Sequence, residues 1–582
     1  MRKLLKYLNE YKLRAVLAPL FKVLEAIFEL LVPLVMVKLV DIGIKNHDNA
    51  YIFKCGGILL LLTFIGYAAS ITAQYFAARS AIGFGNALRK DVFKHINSFS
   101  FENIDGLGTS TLITRMTSDI NITVTGVNMF LRLFLRSPFI VFGAVIMAFT
   151  VDSKTSMIFM FVLPLLMLVV FTLTFASIPM YKKVQNKLDK VTLLTREGLI
   201  GIRVIRAFNR QRVESREYRK ANESLMDSQL AVGRVSTFMN PVTNLIVNLG
   251  IASLIYTGAV KVQAGDLTQG QIIALVNYMS QILVELVKLA NLIITLTKAA
   301  ASANRLRDLL ETEPTQVYGE PIEEDPDAPV RKPRTSVVFD HVSMCYKGSQ
   351  EAAIKDISFE AKAGQTIGII GGTGSGKSTL VNLIPRFYDI TDGSIKIDGL
   401  EIEKYTKDDL RKKISIVPQQ STLFKGTVEE NLRVADKDAR EYTLKWAIDT
   451  AQASEFVYKN PEGLKYMINQ GGKNLSGGQR QRLCIARALV SRPEILILDD
   501  SSSALDFATE ANLKKALEET GKDRITIIVS QRASSILDAD HIIVLEDGEA
   551  VAQGTHSELF RTSEIYREIY HTQFKNEMGV KA

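Results

Sequence analysis

The sequence predicts an α-helical domain of six membrane spans followed by an α/β domain built on a phosphate-binding loop. Three observations predict it. Up to about residue 300, long apolar runs alternate with charged segments, and beyond it the apolar runs are short and glycine motifs appear. A glycine-rich stretch, "GGTGSGKST" at 371–379, follows the short apolar run "TIGII". A further apolar run, "ILILDDSSSALD" at 495–506, ends in two carboxylates. Four apolar residues leading into acid groups read as a buried parallel strand that delivers them to a site at its C-terminal end. At 582 residues the chain is long enough for several domains. The expected division is a membrane domain over 1–310, a linker over 311–335 and a nucleotide-binding domain over 336–582.

Six stretches approach the roughly 20 residues needed to cross a bilayer. They are 15–40, 58–75, 130–149, 156–179, 238–260 and 272–297. Three short links between them carry one lysine each, Lys45, Lys154 and Lys261. The N-terminus and the two long links are basic, the second holding Lys182, Lys183, Lys187, Lys190, Arg196, Arg203, Arg206, Arg210 and Arg212. The positive-inside rule therefore puts the N-terminus, the long links and, after six crossings, the second domain in the cytoplasm of a cell whose plasma membrane the chain spans. The net charge of +8 is accounted for by this topology. With no basic–aromatic interleaving, nucleic acid is not an expected partner, and the lipid bilayer is. The long links contain "NALRKDVFKHINSFSF" and "VQNKLDKVTLLTREGLIGIRVIRAF", apolar at helical spacing and free of proline, so they are expected to continue the spans as helices.

The first span holds Glu25 and Glu29, four apart on one helical face, with Lys22 on the same side. Charges in lipid are costly, so these face a cavity or each other. One reading is a polar lining on the path of cationic or amphipathic cargo. The other is a structural pair in which Lys22 neutralises Glu25. Arg132 and Arg136, near the start of the third span, are expected to snorkel to the interface. The basic N-terminal stretch precedes an apolar run that contains Lys22, Glu25 and Glu29 and is too long for a signal peptide. Cys55, Cys345 and Cys484 lie far apart, an odd count with no metal spacing, and read as packed thiols. The stretch 311–334, rich in proline and acid, reads as an exposed linker.

Strand, loop and helix follow one another at 366–384, the context a phosphate-binding loop requires. Gly371, Gly372, Thr373, Gly374, Ser375 and Gly376 let backbone N–H groups curl round the phosphates. The next helix, which begins with Lys377, Ser378 and Thr379, aims its positive end at the same anion. Lys377 supplies a point charge to the β and γ phosphates, and the Ser378 hydroxyl reaches Mg²⁺. The expected ligand is Mg·ATP.

Some hundred residues on stands "NLSGGQRQRLCIARALV", with Leu475, Ser476, Gly477, Gly478 and Gln479. With it, nearly the whole chain resembles an ABC exporter half-transporter. The resemblance implies two cassettes packed head to tail, each ATP held by the loop of one and the "LSGGQ" of the other. It implies that Tyr346 stacks on adenine, that Gln419 senses Mg²⁺ and that Asp499 holds it. It also implies that Asp506, in "SALD", lies on a loop that crosses to the other cassette, and that "GIRVIRAF" at 201–208 docks on a cassette.

Two catalytic positions depart from the family pattern. Asp500 stands where the family has glutamate, and Gln531 where it has histidine. A base one methylene short sits badly for positioning water, and glutamine carries neither positive charge nor a shuttled proton. "INQGG" also puts Asn469 and Gln470 where an acidic residue is usual. The expectation is a site that binds ATP well and cleaves it poorly. It would work in a heterodimer whose other half-transporter supplies a competent glutamate and histidine, as in heterodimeric bacterial multidrug exporters. The expected cargo is amphipathic and drug-like. The alternatives are a lipid or peptide exporter, or an ATP-binding regulatory half.

Overall fold

A computed structural model describes residues 2–320 and 335–578. Residues 321–334 of the expected linker lie outside the described residues. The chain forms two compact units, Met1–Asn97 with Thr109–Glu313, and Ser98–Gly108 with Pro314–Ala582.

The helices up to Glu311 include α1 (Lys12–Lys38), α2 (Asn49–Ser98), α3 (Phe101–Leu107), α4 (Ile120–Leu133), α5 (Arg136–Val151), α6 (Ser153–Ile200), α7 (Gln211–Ala264) and α8 (Gln269–Glu311). The second stretch with helical spacing, 184–208, continues α6 to Ile200 and then a short helix, Ile202–Ala207. α2 likewise runs unbroken for 50 residues. Both outlast a bilayer crossing because their apolar stretches pass into amphipathic ones within one continuous helix, α6 running on through Pro164 and Pro179. In α2 the alanines Ala69, Ala73, Ala77 and Ala81 recur every fourth position and are buried. Small residues at that spacing let neighbouring helices approach closely. Leu60, Phe64 and Tyr67 of the same helix stand exposed, as side chains that face lipid do.

Among the described residues, five helical segments are long and apolar enough to cross a membrane: Asn49–Ser98, Thr109–Val151, Ser153–Ile200, Gln211–Ala264 and Gln269–Glu311. α1 is 27 residues long and carries Lys22, Glu25 and Glu29 in its middle. The segment Thr109–Val151 is interrupted by a turn at 134–135, just before α5. Pro138 explains it: the residue has no N–H for the carbonyl of Phe134, and its ring crowds that carbonyl.

At one end of this unit the short links are tied together. Asp41 accepts hydrogen bonds from Thr268 Oγ1 at 2.5 Å and Gly270 N at 2.9 Å. Lys261 Nζ lies 2.5 Å from Asp152 Oδ2. Asp152 also accepts from Thr155 N and so caps α6.

Arg136 does not snorkel as its position in the sequence suggested. It is buried and bound to carboxylates of two other helices: NH1 lies 2.7 Å from Glu285 Oε1, and NH2 lies 2.7 Å from Glu29 Oε2. These paired carboxylates offset the cost of taking the guanidinium out of water.

The second unit is built on a six-stranded sheet. Its strand order is Glu549–Gly554, His541–Glu546, Thr366–Gly371, Ile525–Val529, Ile495–Asp499, Ile414–Val417. All neighbours pair in parallel except the first two. Every residue of Ile495–Asp499 is buried. This is the reason its composition is unbroken rather than alternating. A second, antiparallel sheet packs its core side chains, among them Val337, Phe339, Ile357 and Ile395, with those of the first.

α3 belongs to this second unit. Ser100 and Asn103 form its capping box. The Phe101 ring stacks on Phe387 at 4.4 Å between centroids. Tyr388 OH donates to Asp105 Oδ2 at 2.6 Å, and Lys347 pairs with Glu102 at 3.4 Å. A segment from the first half of the sequence is thus anchored by an aromatic stack and two polar contacts to residues more than two hundred positions away.

Candidate functional site

The strand Thr366–Gly371 hands the chain to the loop 372–376 and then to the helix Lys377–Leu383. Gly374 and Gly376 take φ of +87° and +95°. At Gly376 a Cβ would stand 2.7 Å from Ala353 O and 2.8 Å from Ile354 Cδ1. Only glycine meets both demands, left-handed backbone and no side chain. Lys377 is buried and bends back over the loop, donating to Gly371 O at 2.9 Å and Gly372 O at 2.5 Å. Burial lowers its pKa, and the nearby Asp500 and Asp499 oppose the shift.

At the C-terminal end of Ile495–Asp499, Asp499 is buried and its Oδ1 accepts from Ser378 Oγ at 3.0 Å. Its pKa is raised, first by burial, with Asp500 adding to the rise while Ser378 and Lys377 oppose it. A buried carboxylate beside a hydroxyl, both hard oxygen donors, suits the Mg²⁺ that accompanies ATP. Asp500 follows with φ +48°, a left-handed conformation that aspartate tolerates better than most residues. Its backbone is fixed from three sides. Its N–H donates to Val529 O at 2.9 Å, and its carbonyl accepts from Ser503 Oγ at 2.9 Å and Gln481 Nε2 at 3.3 Å. Its carboxylate accepts from Gln419 Nε2 at 3.4 Å. Tyr346 OH lies 3.0 Å from Thr379 Oγ1, and its ring meets Tyr388 edge-on at 5.1 Å. The structure therefore brings Tyr346, Gly371–Thr379, Gln419, Asp499 and Asp500 together.

Gln531 stands exposed beyond the strand Ile525–Val529, its carbonyl accepting from Gln573 Nε2 at 2.7 Å. Leu475 N donates to Gly472 O, and Ser476 then opens the helix Gly477–Val490. Ser476 Oγ accepts from Gln479 N at 3.3 Å, and Gln479 Oε1 accepts from Ser476 N at 2.9 Å. This reciprocal cap leaves the first N–H groups of a 14-residue helix directed outward from Gly477 and Gly478, an anion-binding arrangement. Asp506 caps the next helix, Phe507–Thr520, accepting from Thr509 Oγ1 at 2.7 Å and Thr509 N at 3.2 Å. Those bonds hold its pKa below the ordinary carboxylate value. Asn469 precedes a short turn, Gln470–Gly472, and its N–H donates to Asn474 Oδ1 at 2.9 Å.

Sequence reasoning missed Gln481 and Thr379 as partners of Asp500 and Tyr346. Gln481 lies in the quoted "QRQR", but nothing in that spacing reveals that its amide reaches the carbonyl at position 500. In the first unit, Glu25 is bound by Lys22 Nζ at 2.5 Å, and Glu29 by Arg136. Glu285, which holds Arg136 from α8, was also missed, although a single acid within the apolar span 272–297 is a signal that the sequence carries.

Two family profiles match, "ABC transporter transmembrane region" over residues 16–286 and "ABC transporter" over residues 354–503. An uncharacterized ABC transporter ATP-binding protein of Bacillus subtilis (strain 168), YfiB, is 36% identical over 99% of this chain and 99% of its own. An ATP-dependent lipid A-core flippase of Chromohalobacter salexigens is 30% identical over 99% of this chain and 98% of its own. The solved structure of a bacterial Atm1-family ABC exporter with ATP bound superposes with TM-score 0.79 at 24% identity, covering 98% of this chain and 99% of that one, a likeness of fold.

Proposed function

This chain belongs to the ABC transporters as an ATP-driven exporter half-transporter, and we propose that it is the slow-hydrolysing half of a heterodimer. In this reading its own site holds Mg·ATP, and its Leu475–Gln479 signature completes a fast site on a partner half-transporter. The observation that carries the reading is the combination at 499–500 and 531. The loop, Lys377, Ser378 and Asp499 are assembled for binding, while Asp500 and Gln531 occupy the places of the base and of the histidine.

A general base works at about 2.6–3.2 Å from the proton it takes. Aspartate falls short of glutamate by one C–C bond, about 1.5 Å. The backbone at Asp500 is fixed from three sides, so the chain does not recover that length by shifting. Gln531 can donate a hydrogen bond to the γ phosphate but brings no charge to it. Ser378 and Asp499 would hold Mg²⁺ with Gln419 nearby, and Tyr346 would stack on the adenine. Asp506, on an exposed helix cap, would meet the other cassette.

In the membrane unit α1 is taken as a sixth span. Its charges are paired internally, which removes the main objection to placing it in lipid. The N-terminus, the long links and the nucleotide-binding unit are then cytoplasmic. ATP closes the two cassettes, and the helical links carry that motion to the spans. The cargo is amphipathic. A lipid cargo is the second reading, favoured by the similarity to a lipid A-core flippase over nearly the whole length.

The test is turnover by the full-length chain alone in lipid nanodiscs, compared with Asp500→Glu/Gln531→His. The expected outcome is slow ATPase with tight nucleotide photolabelling, rising by about 100-fold or more in the double variant, the usual worth of a positioned acid–base group. Wild-type turnover near the ordinary enzyme rate of about 10 per second, unchanged in the double variant, refutes the reading.

A further inference from the structure

In the first unit six ionisable side chains from three helices form one connected cluster. Lys22 Nζ donates to Glu25 Oε2 at 2.5 Å and to Ser70 Oγ of α2 at 3.0 Å. Arg136 reaches Glu29 and Glu285 at 2.7 Å each, and its Nε lies 3.7 Å from Glu25 Oε1. Glu285 also accepts from Ser137 Oγ and Lys288 Nζ, both at 2.8 Å. Three cations face three carboxylates, so the cluster is neutral when all are ionised.

Its depth follows from helix length. Arg136 is fifteen residues before the end of α5, and Glu285 sixteen after the start of α8. Both count from the end where the short links are tied, which puts the cluster about 22–24 Å in at a rise of about 1.5 Å per residue. A hydrocarbon layer of about 30 Å therefore contains it, close to the opposite leaflet. Ionisable groups at such a depth pair with one another or mark a substrate path.

The members are not equivalent. The side chains of Arg136 and Glu285 are 9% and 3% exposed, and those of Glu29 and Lys288 are 40% and 44%. The core pair is sealed, and one acid and one base stand at the rim. The buried guanidinium is also one bond short, since Arg136 Nε has no hydrogen-bond partner.

We propose that Glu29 and Lys288 are the headgroup subsite for a zwitterionic amphipath, Glu29 taking its cation and Lys288 its anion. The inference rests on the exporter reading above and narrows its cargo. A head with a single positive charge that draws Glu29 away leaves Arg136 short of a carboxylate in a medium of low dielectric. A head with a single negative charge leaves Glu285 short of Lys288 in the same way. A zwitterion draws on both rim positions at once, so Arg136 and Glu285 are left paired with each other at 2.7 Å and the cluster stays neutral. Location inside the apolar layer selects a head that carries a tail.

The test is equilibrium binding to the full-length chain in nanodiscs of phosphatidylglycerol, which offers no zwitterion of its own. The probes are dodecylphosphocholine, dodecyltrimethylammonium, dodecanesulfonate and, as a neutral head, dodecyl maltoside. Dodecylphosphocholine is expected to bind about tenfold or more tighter than either singly charged probe, the scale on which unpaired buried charge penalises binding. Glu29→Gln and Lys288→Gln should each remove that preference while leaving dodecyl maltoside affinity and nucleotide photolabelling unchanged, which shows that the variants fold. Glycerophosphocholine, which has no tail, separates the sources: weak binding assigns the site to lipids, and binding equal to dodecylphosphocholine assigns it to soluble zwitterions. Equal affinity for the three charged dodecyl probes, or an undiminished phosphocholine preference in both variants, overturns the proposal. Nucleotide turnover does not enter these readouts, so their failure is distinct from failure of the slow-site reading.

Discussion

Replacing Arg136 with methionine tests the buried cluster as a structural element. The side chain is similar in length and apolar, so it fills the space and removes the charge. Glu285, 3% exposed, then loses a partner at 2.7 Å and keeps Lys288 and Ser137. Glu29 also loses its partner, but its half-exposed carboxylate can turn to water. Breaking a buried pair costs about 3–5 kcal/mol. The two retained contacts to Glu285 put the expectation at the low end, about 3 kcal/mol by the same range. The exposed Glu29 contact adds less than about 1 kcal/mol. The assay is equilibrium unfolding in mixed micelles, titrated with sodium dodecyl sulfate and followed by circular dichroism. Arg219→Met, at an exposed site on α7, is the control and should stay within about 0.5 kcal/mol of wild type. Adding Glu285→Leu to Arg136→Met removes the stranded carboxylate and should recover at least half of the loss, since an apolar pair often substitutes for a buried ion pair without penalty. If Arg136→Met matches the Arg219 control, or the double variant is less stable than the single, the guanidinium does not hold these helices together.

Gly376→Ala should weaken nucleotide photolabelling, because alanine at φ +95° brings Cβ to 2.7 Å from a carbonyl oxygen. The strain of about 1–3 kcal/mol corresponds to roughly five- to 150-fold in affinity, and unchanged labelling would show that the loop accommodates it. His341 Nδ1 lies 2.6 Å from Asp356 Oδ1, and that hydrogen bond raises the imidazole pKa above its ordinary value. A raised folded-state pKa means that this contact stabilises the protein fully below the ordinary histidine pKa. The contribution then fades as pH rises through the shifted one. Histidine NMR titration should show His341 titrating high and returning to normal in Asp356→Asn. Identical titration in the two proteins would contradict the contact.

The nucleotide site was legible where its chemistry is local. Gly374 and Gly376 sit in a contiguous loop whose function is set by backbone geometry, and Ser476 and Gln479 cap a helix three residues apart. Asp499 was legible because an unbroken apolar strand can only be a buried one. The departures at Asp500 and Gln531 were visible as residue types, while the three bonds that fix the backbone at Asp500 were not, since Val529, Gln481 and Ser503 come from different elements.

The membrane unit divides in the same way. Length and hydropathy alone determined the long helices, because a bilayer imposes a span length and a charge bias that composition records. Tertiary structure alone decided what the charges inside them do. Arg136 reads as a snorkelling residue from its own helix, yet Glu29 and Glu285 lie 107 and 149 positions away and draw it inward. Likewise nothing in the sequence of α3 reveals that Phe101 is anchored by a ring at Phe387. Periodicity reports which face of a helix is apolar. It does not report which distant side chain will meet that face, and a buried charge is stable only when that partner arrives.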